Sequence, residues 1–162
     1  MRSSGNDFLD LCTTLGLMTL SWAWAESVLA MTIGVISTSA GPIKGYQEAP
    51  VSLKKKVSCF RIALRDITAL QPLQKEGRVL AERFTDLSKR RNDLIHSAAW
   101  KHHEGSFEAI GVAVNRGDYV VKSHRFHISD AVSDAVSLEV EIAKLSDDAD
   151  AFMTRVCNIF NK

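Results

Sequence analysis

Along most of this chain apolar side chains recur every three or four residues, the signature of helices that bury one face. Residues 15–36, "LGLMTLSWAWAESVLAMTIGVI", are apolar around nearly the whole circumference, with Glu26 the one ionisable group. They predict a first helix from about Asn6 to Ile36, buried in the core, ending at the Gly, Ser and Pro of "STSAGPIKG" (37–45). A second helix fits residues 52–70. Ser52 suits its N-cap, and Leu53, Val57, Phe60, Leu64 and Ile67 form its stripe. It stops ahead of Pro72, because the residue before a proline avoids helical geometry. A third helix starts near Pro72, reaches about Ala99, and buries Leu73, Leu80, Phe84, Leu87, Leu94 and Ala98. Gly77 within it costs under about 1 kcal/mol.

The period then shortens to two. "FEAIGVAV" (107–114) and "DYVVKSHRFHI" (118–128) are rich in β-branched and aromatic residues and flank "NRG", which predicts a β-hairpin. A two-stranded ribbon is barely stable alone, so it must pack on the helices or on a partner. A last helix from about Ser129 to Phe160 carries Val132, Val136, Val140, Leu145, Phe152, Val156 and Ile159, with "SDD" (146–148) the place for a bend. The fold class is therefore mainly α, four helices with a hairpin at about 107–128 between the third and fourth.

Composition narrows the picture. The 162 residues, 46% hydrophobic and 24% charged, suit one soluble domain spanning 1–162 around one core. A net charge of +1 means that any nucleic-acid binding comes from a local basic patch. The three cysteines, Cys12, Cys59 and Cys157, are scattered and share no CxxC spacing, which argues against a disulfide framework or a thiolate zinc site and for a reducing, cytoplasmic compartment. Residues 15–36 are long enough to span a bilayer, but a carboxylate at mid-bilayer costs a few kcal/mol, so a core helix is preferred to a membrane anchor. Asn6, Asp7 and Asp10 stand where a secretory signal carries positive charge.

One stretch breaks the helical pattern. In "KRRNDLIHSAAW" (89–100), Arg91 falls at the centre of the apolar face of the third helix. Leu80, Phe84, Leu87, Ile95 and Ala98 project within about 40° of it. A guanidinium keeps its proton, so at such a position it must be paired or face a cleft. Asn92 and His96, four apart, share a flank with the small residues Ala81, Thr85, Ser88 and Ala99. Arg, amide and imidazole thus border one small polar groove. Taken singly, an Arg on a core face is most often a structural ion-pair partner, and a His on a helix flank a surface residue.

The segment "RNDLIH" (91–96) resembles the signature of the HEPN superfamily, the higher eukaryotes and prokaryotes nucleotide-binding domains: an Arg, a polar residue, and a His after four to six intervening positions. The resemblance implies an up-down four-helix bundle, with the hairpin an elaboration that many members lack. It also implies a homodimer with a composite site that cleaves RNA without metal or cofactor, leaving 2′,3′-cyclic phosphate ends, as toxins or defence effectors do. His96 would act as general base or acid, Arg91 would hold the scissile phosphate, and Asn92 would orient one of them. Glu26 and Ser88 are supporting candidates, Glu26 by pairing with Arg91. The alternative it implies is a non-catalytic dimerisation or nucleotide- or partner-binding module, or a subunit that meets an antitoxin.

Weaker signals complete the set. Lys54, Lys55 and Lys56 open the second helix, with Arg61 and Arg65 beyond. Lys89, Arg90 and the loop histidines His102 and His103 flank the motif. As a solvated surface they need no function; as RNA contacts they would bind backbone phosphate. His124 and His127 fall on opposite faces of a strand and no HExxH spacing occurs, so no metal site is expected.

Overall fold

The structure, a computed structural model, describes the backbone of residues 4–96, 100–103, 106–115 and 118–161, and the side chains of residues 9–95, 127 and 129–161. The chain is mainly helical: α1 (Ser4–Ala40), α2 (Leu53–Asp66), α3 (Gln74–His96) and α4 (Ile128–Phe160), with a 3-10 turn at Thr68–Leu73. Between α3 and α4 the backbones of β1 (Trp100–His103), β2 (Ser106–Asn115) and β3 (Asp118–His127) pair antiparallel in that order. Phe107 lies opposite both His102 and Phe126.

The chain forms two compact units. Residues 1–19 and 88–140 make one, and residues 20–87 and 141–162 the other. Each of the three long helices contributes one part to each unit.

The second unit holds the larger core. Ser52 caps α2 as expected, its hydroxyl accepting from the Lys55 N–H at 3.4 Å. Val57, Phe60, Ala63 and Leu64 of α2 are buried there with Trp22, Leu29 and Ile36 of α1, Leu80 and Phe84 of α3, and Phe152 and Val156 of α4. Two edge-on aromatic pairs lie within this core, Trp22–Phe84 with centroids 6.0 Å apart and Phe60–Phe152 at 5.4 Å. Gly77 has a packing reason: a Cβ built there would lie 2.6 Å from a Leu64 methyl and 3.1 Å from the Phe152 ring. On the surface of the unit, Arg83 pairs with Asp148 and Arg155 with Glu76, tying α3 to α4.

Two boundaries differ from the sequence expectation. Helix α2 ends at Asp66 rather than near residue 70, because Ile67 turns extended (φ −98°, ψ 109°) and the chain closes a 3-10 turn that contains Pro72. The Gln74 side-chain amide then donates to the Leu64 carbonyl at 3.1 Å, satisfying one of the carbonyls that a helix end leaves open. Helix α1 runs to Ala40, where Gly41 takes a left-handed φ of 90° that suits glycine.

Helix α4 buries Leu145, Phe152 and Val156 of the expected stripe and departs from it at Val136 and Val140. Val136 and Val140 are exposed, whereas Ala131, Ala135, Leu138, Ile142, Leu145, Ala149, Phe152 and Val156 are buried. That alternation of four and three is a sustained seam, and its alanines admit close approach of a neighbour. Val136 follows Ala135 by one position and Val140 follows Leu138 by two, which turns both off the buried face. The helix continues through 146–148, where Asp148 pairs with Arg83.

The first unit has a smaller core of Leu11 with Ala131 and Ala135, against which Leu15, Leu94 and Val132 pack. Leu94 thereby fixes the last turns of α3.

Overpacking at Gly77 is the sharpest test of the larger core. Gly77→Val is expected to lower the unfolding free energy by about 2 kcal/mol in a urea melt. Thiol chemistry gives a second. Cys12 is exposed, whereas Cys59 is buried and its pKa is raised by desolvation, so at pH 8 a thiol reagent should label Cys12 in the native protein and reach Cys59 only on unfolding.

Candidate functional site

The last two turns of α3 carry the motif. Apolar positions at Leu80, Phe84 and Leu87 are buried, and Leu94 docks the helix end on the smaller core, so the arc between them is set by the helix itself. Arg91 sits on that arc, one turn before Leu94, and is half-buried rather than fully enclosed. One side of the guanidinium reaches its neighbour: Nη1 donates to the Asn92 Oδ1 at 3.1 Å. The Asn92 side chain is otherwise exposed.

His96 is the final residue of α3, four positions beyond Asn92 and on its face of the helix. The imidazole lies outside the described side chains, and Ala98 of the expected apolar stripe and Ala99 of the expected groove wall lie outside the described residues. The rest of that wall follows the projection in part. Ala81 is fully buried, and Thr85 is half-buried with its hydroxyl donating to the Ala81 carbonyl at 2.9 Å. Ser88 is half-buried, while Lys89 and Arg90 are exposed beside the motif. His102 and His103 belong to strand β1 rather than to a loop; their side chains are outside the described set.

Glu26 departs from its expected role. Its Oε1 takes the Lys56 Nζ at 2.7 Å, where the sequence suggested Arg91 as partner. Both groups are mostly covered, with Lys56 15% and Glu26 27% exposed. The physical reason lies in the amphipathic stem of lysine. Lys56 is four residues before Phe60 on α2, so its methylenes run along the apolar stripe and its ammonium ends beside α1. This partner was legible by projecting α2 as α3 was projected. It also leaves Lys54, Lys55, Arg61 and Arg65 as the exposed bases of α2 without Lys56.

Arg65 is likewise engaged. Its guanidinium grips Asp66 through Nε at 2.6 Å and Nη2 at 2.9 Å. That hydrogen bonding holds the Asp66 carboxyl below the ordinary carboxylate range. Among the described residues no group of three His, Cys, Asp or Glu side chains is placed to hold a metal ion.

The motif therefore provides a fixed cation with one edge ordered by an amide, at a helix end that also bears a histidine. Such a set can bind an oxyanion and position it for proton transfer. No protein-family model matches the chain, and no curated protein or solved structure matches it.

The Glu26–Lys56 pair yields a measurable expectation. Glu26→Gln and Lys56→Gln, combined in a double-mutant cycle, should show a coupling of about 1 kcal/mol in stability, since each single change strands a mostly covered charge. A coupling near zero would mean that the pair adds nothing to the second unit.

Proposed function

We propose that this chain is a metal-independent endoribonuclease of HEPN type, acting in the cytoplasm as a toxin or defence effector. In this reading the helices form a HEPN-type four-helix bundle, the β2–β3 ribbon is an insertion, and two copies build a composite site. The single observation that carries it is the half-buried Arg91 with its guanidinium held by Asn92 at the end of α3. It gains support from the sequence order RNDLIH, which puts a histidine one turn past the amide.

The chemistry follows from the side chains. RNA supplies its own nucleophile. The ribose 2′-oxygen attacks phosphorus as a base removes its proton, the P–O5′ bond breaks, and an acid protonates the departing O5′. The products are a 2′,3′-cyclic phosphate and a 5′-hydroxyl. An imidazole ordinarily changes charge near neutral pH, which suits a histidine at position 96 to the proton transfers. Arg91 would bring a permanent positive charge to the phosphate oxygens, whose own charge grows in the transition state. Asn92, by occupying one guanidinium edge, sets which donors face the phosphate.

The test is purified protein with mixed RNA in EDTA. Wild type is expected to cleave and to leave cyclic phosphate ends. His96→Ala and Arg91→Ala should each lose at least about a hundredfold in rate with the fold unchanged by circular dichroism. Asn92→Ala should lose less, about tenfold, because it removes orientation rather than charge. An inert wild type that still binds nucleotide or a protein partner through Arg91 would support the non-catalytic module in place of the nuclease.

A further inference from the structure

Helix α2 carries a charge pattern that folding alone does not call for. Five of its 14 residues are basic, Lys54, Lys55, Lys56, Arg61 and Arg65, and one, Asp66, is acidic, in a chain whose net charge is +1. Three of the bases stand in the first turn, with no acid among them. That is the end of a helix where the macrodipole repels cations. Lys56 is accounted for, since its ammonium meets Glu26. Among the described residues no ion pair engages Lys54, Lys55 or Arg61.

The remaining bases line up. Lys54, Ser58, Arg61 and Arg65 are all exposed and follow one another at intervals of four, three and four. On an α-helix that spacing keeps them within an arc of about 60° and spreads them along about 16 Å. Lys55 flanks the stripe at its N-terminal end. Lys44, in the loop ahead of α2, lies close enough to Asp66 for its charge to act on that carboxyl, so a further cation stands at the C-terminal end. Asp66 is the one acid of α2. It takes the Nε and Nη2 edge of Arg65, and Nη1 stays out of the pair.

We propose that this stripe holds the sugar-phosphate backbone of a nucleic-acid duplex, without regard to base sequence. The occupant follows from what the stripe lacks as much as from its charge. The exposed positions of α2 are all polar or charged. A protein partner is gripped through aromatic and aliphatic anchors, and an interfacial membrane helix sinks an apolar face. A single strand stacks its bases on aromatic rings. A double helix hides its bases and presents rows of phosphates, for which a line of cations suffices. Ser58, between Lys54 and Arg61, adds a hydroxyl of the kind that donates to phosphate oxygens. The inference goes beyond RNA cleavage: it needs neither Arg91 nor His96, and it holds whether or not the chain cuts RNA.

Fluorescence anisotropy of the full chain with a labelled DNA duplex of about 20 base pairs tests it. Deoxyribose has no 2′-hydroxyl to attack phosphorus, so binding is read apart from any nuclease activity. Wild type should bind with a Kd of about 1–100 μM at physiological salt, and an RNA duplex of the same sequence should bind within about threefold of that. Affinity should fall about a hundredfold between about 50 and 200 mM salt, as four phosphate contacts require. Lys54→Gln combined with Arg61→Gln should weaken binding at least about tenfold and flatten the log–log salt slope by about two, with circular dichroism and melting temperature unchanged. Asp66→Asn should tighten binding about threefold, an effect that loss of structure does not imitate. Lys144→Gln removes the same charge from an exposed position on α4 and should leave affinity and slope as they are. Equal losses from Arg61→Gln and Lys144→Gln, no binding at low salt, or tighter binding to poly-glutamate, anionic phospholipid vesicles or single-stranded DNA than to the duplex would each overturn the proposal.

Discussion

The second unit turns on one missing side chain. At Gly77 helix α3 presents bare backbone, and the Leu64 methyls and the Phe152 ring take the space a Cβ would fill. That approach lets Phe152 set its edge to Phe60. Dispersion forces fall steeply with separation, so a shift of an ångström at this point would loosen contacts made by both residues. The cost of glycine in a helix, about 1 kcal/mol, is small beside the burial of two aromatic side chains. The rest of the core, including the Trp22–Phe84 pair, takes its spacing from helices held this near to one another.

How much of this was legible in the sequence depended on whether one pattern stood alone. Helix α2 was legible because Val57, Phe60 and Leu64 have no competing apolar phase, and Ser52 is an unambiguous cap. The first half of helix α4 offered two phases, Val136 and Val140 on one and Ala131, Ala135 and Leu138 on the other. Hydrophobicity favoured the valines, while close packing against neighbouring helices favoured the alanines. Strand β1 was missed because Trp100–His103 is too short and too polar to show a period; only pairing with β2 makes it a strand. The end of α2 depended on the extended Ile67, which no local rule anticipates.

At the site, Arg91 was legible as an anomaly, and its hydrogen bond to Asn92 follows from adjacency. The partner of Glu26 was less legible, because Lys56 reaches it through a long apolar stem that a charge pattern alone does not reveal. The lysine that runs along an apolar stripe behaves as a hydrophobic residue for most of its length, and it reaches a mostly covered carboxylate that an isolated cation would not approach. Helix α1 explains why its sequence looked membrane-like. Residues 9–40 are long and apolar enough to cross a bilayer by length and composition, yet one side of the helix is packed as core.

The ion pairs joining α3 to α4 have a further consequence. Arg83–Asp148 and Arg155–Glu76 lie at the surface, where solvent already weakens them, and the aromatic core beneath does not respond to counterions. Ionic strength is therefore a dial that barely touches folding. Whatever this chain grips through exposed bases such as Lys54 and Arg61 should loosen as electrolyte is added while the helices stay intact. Added electrolyte thus acts on the charged surface of the second unit and leaves its aromatic interior alone.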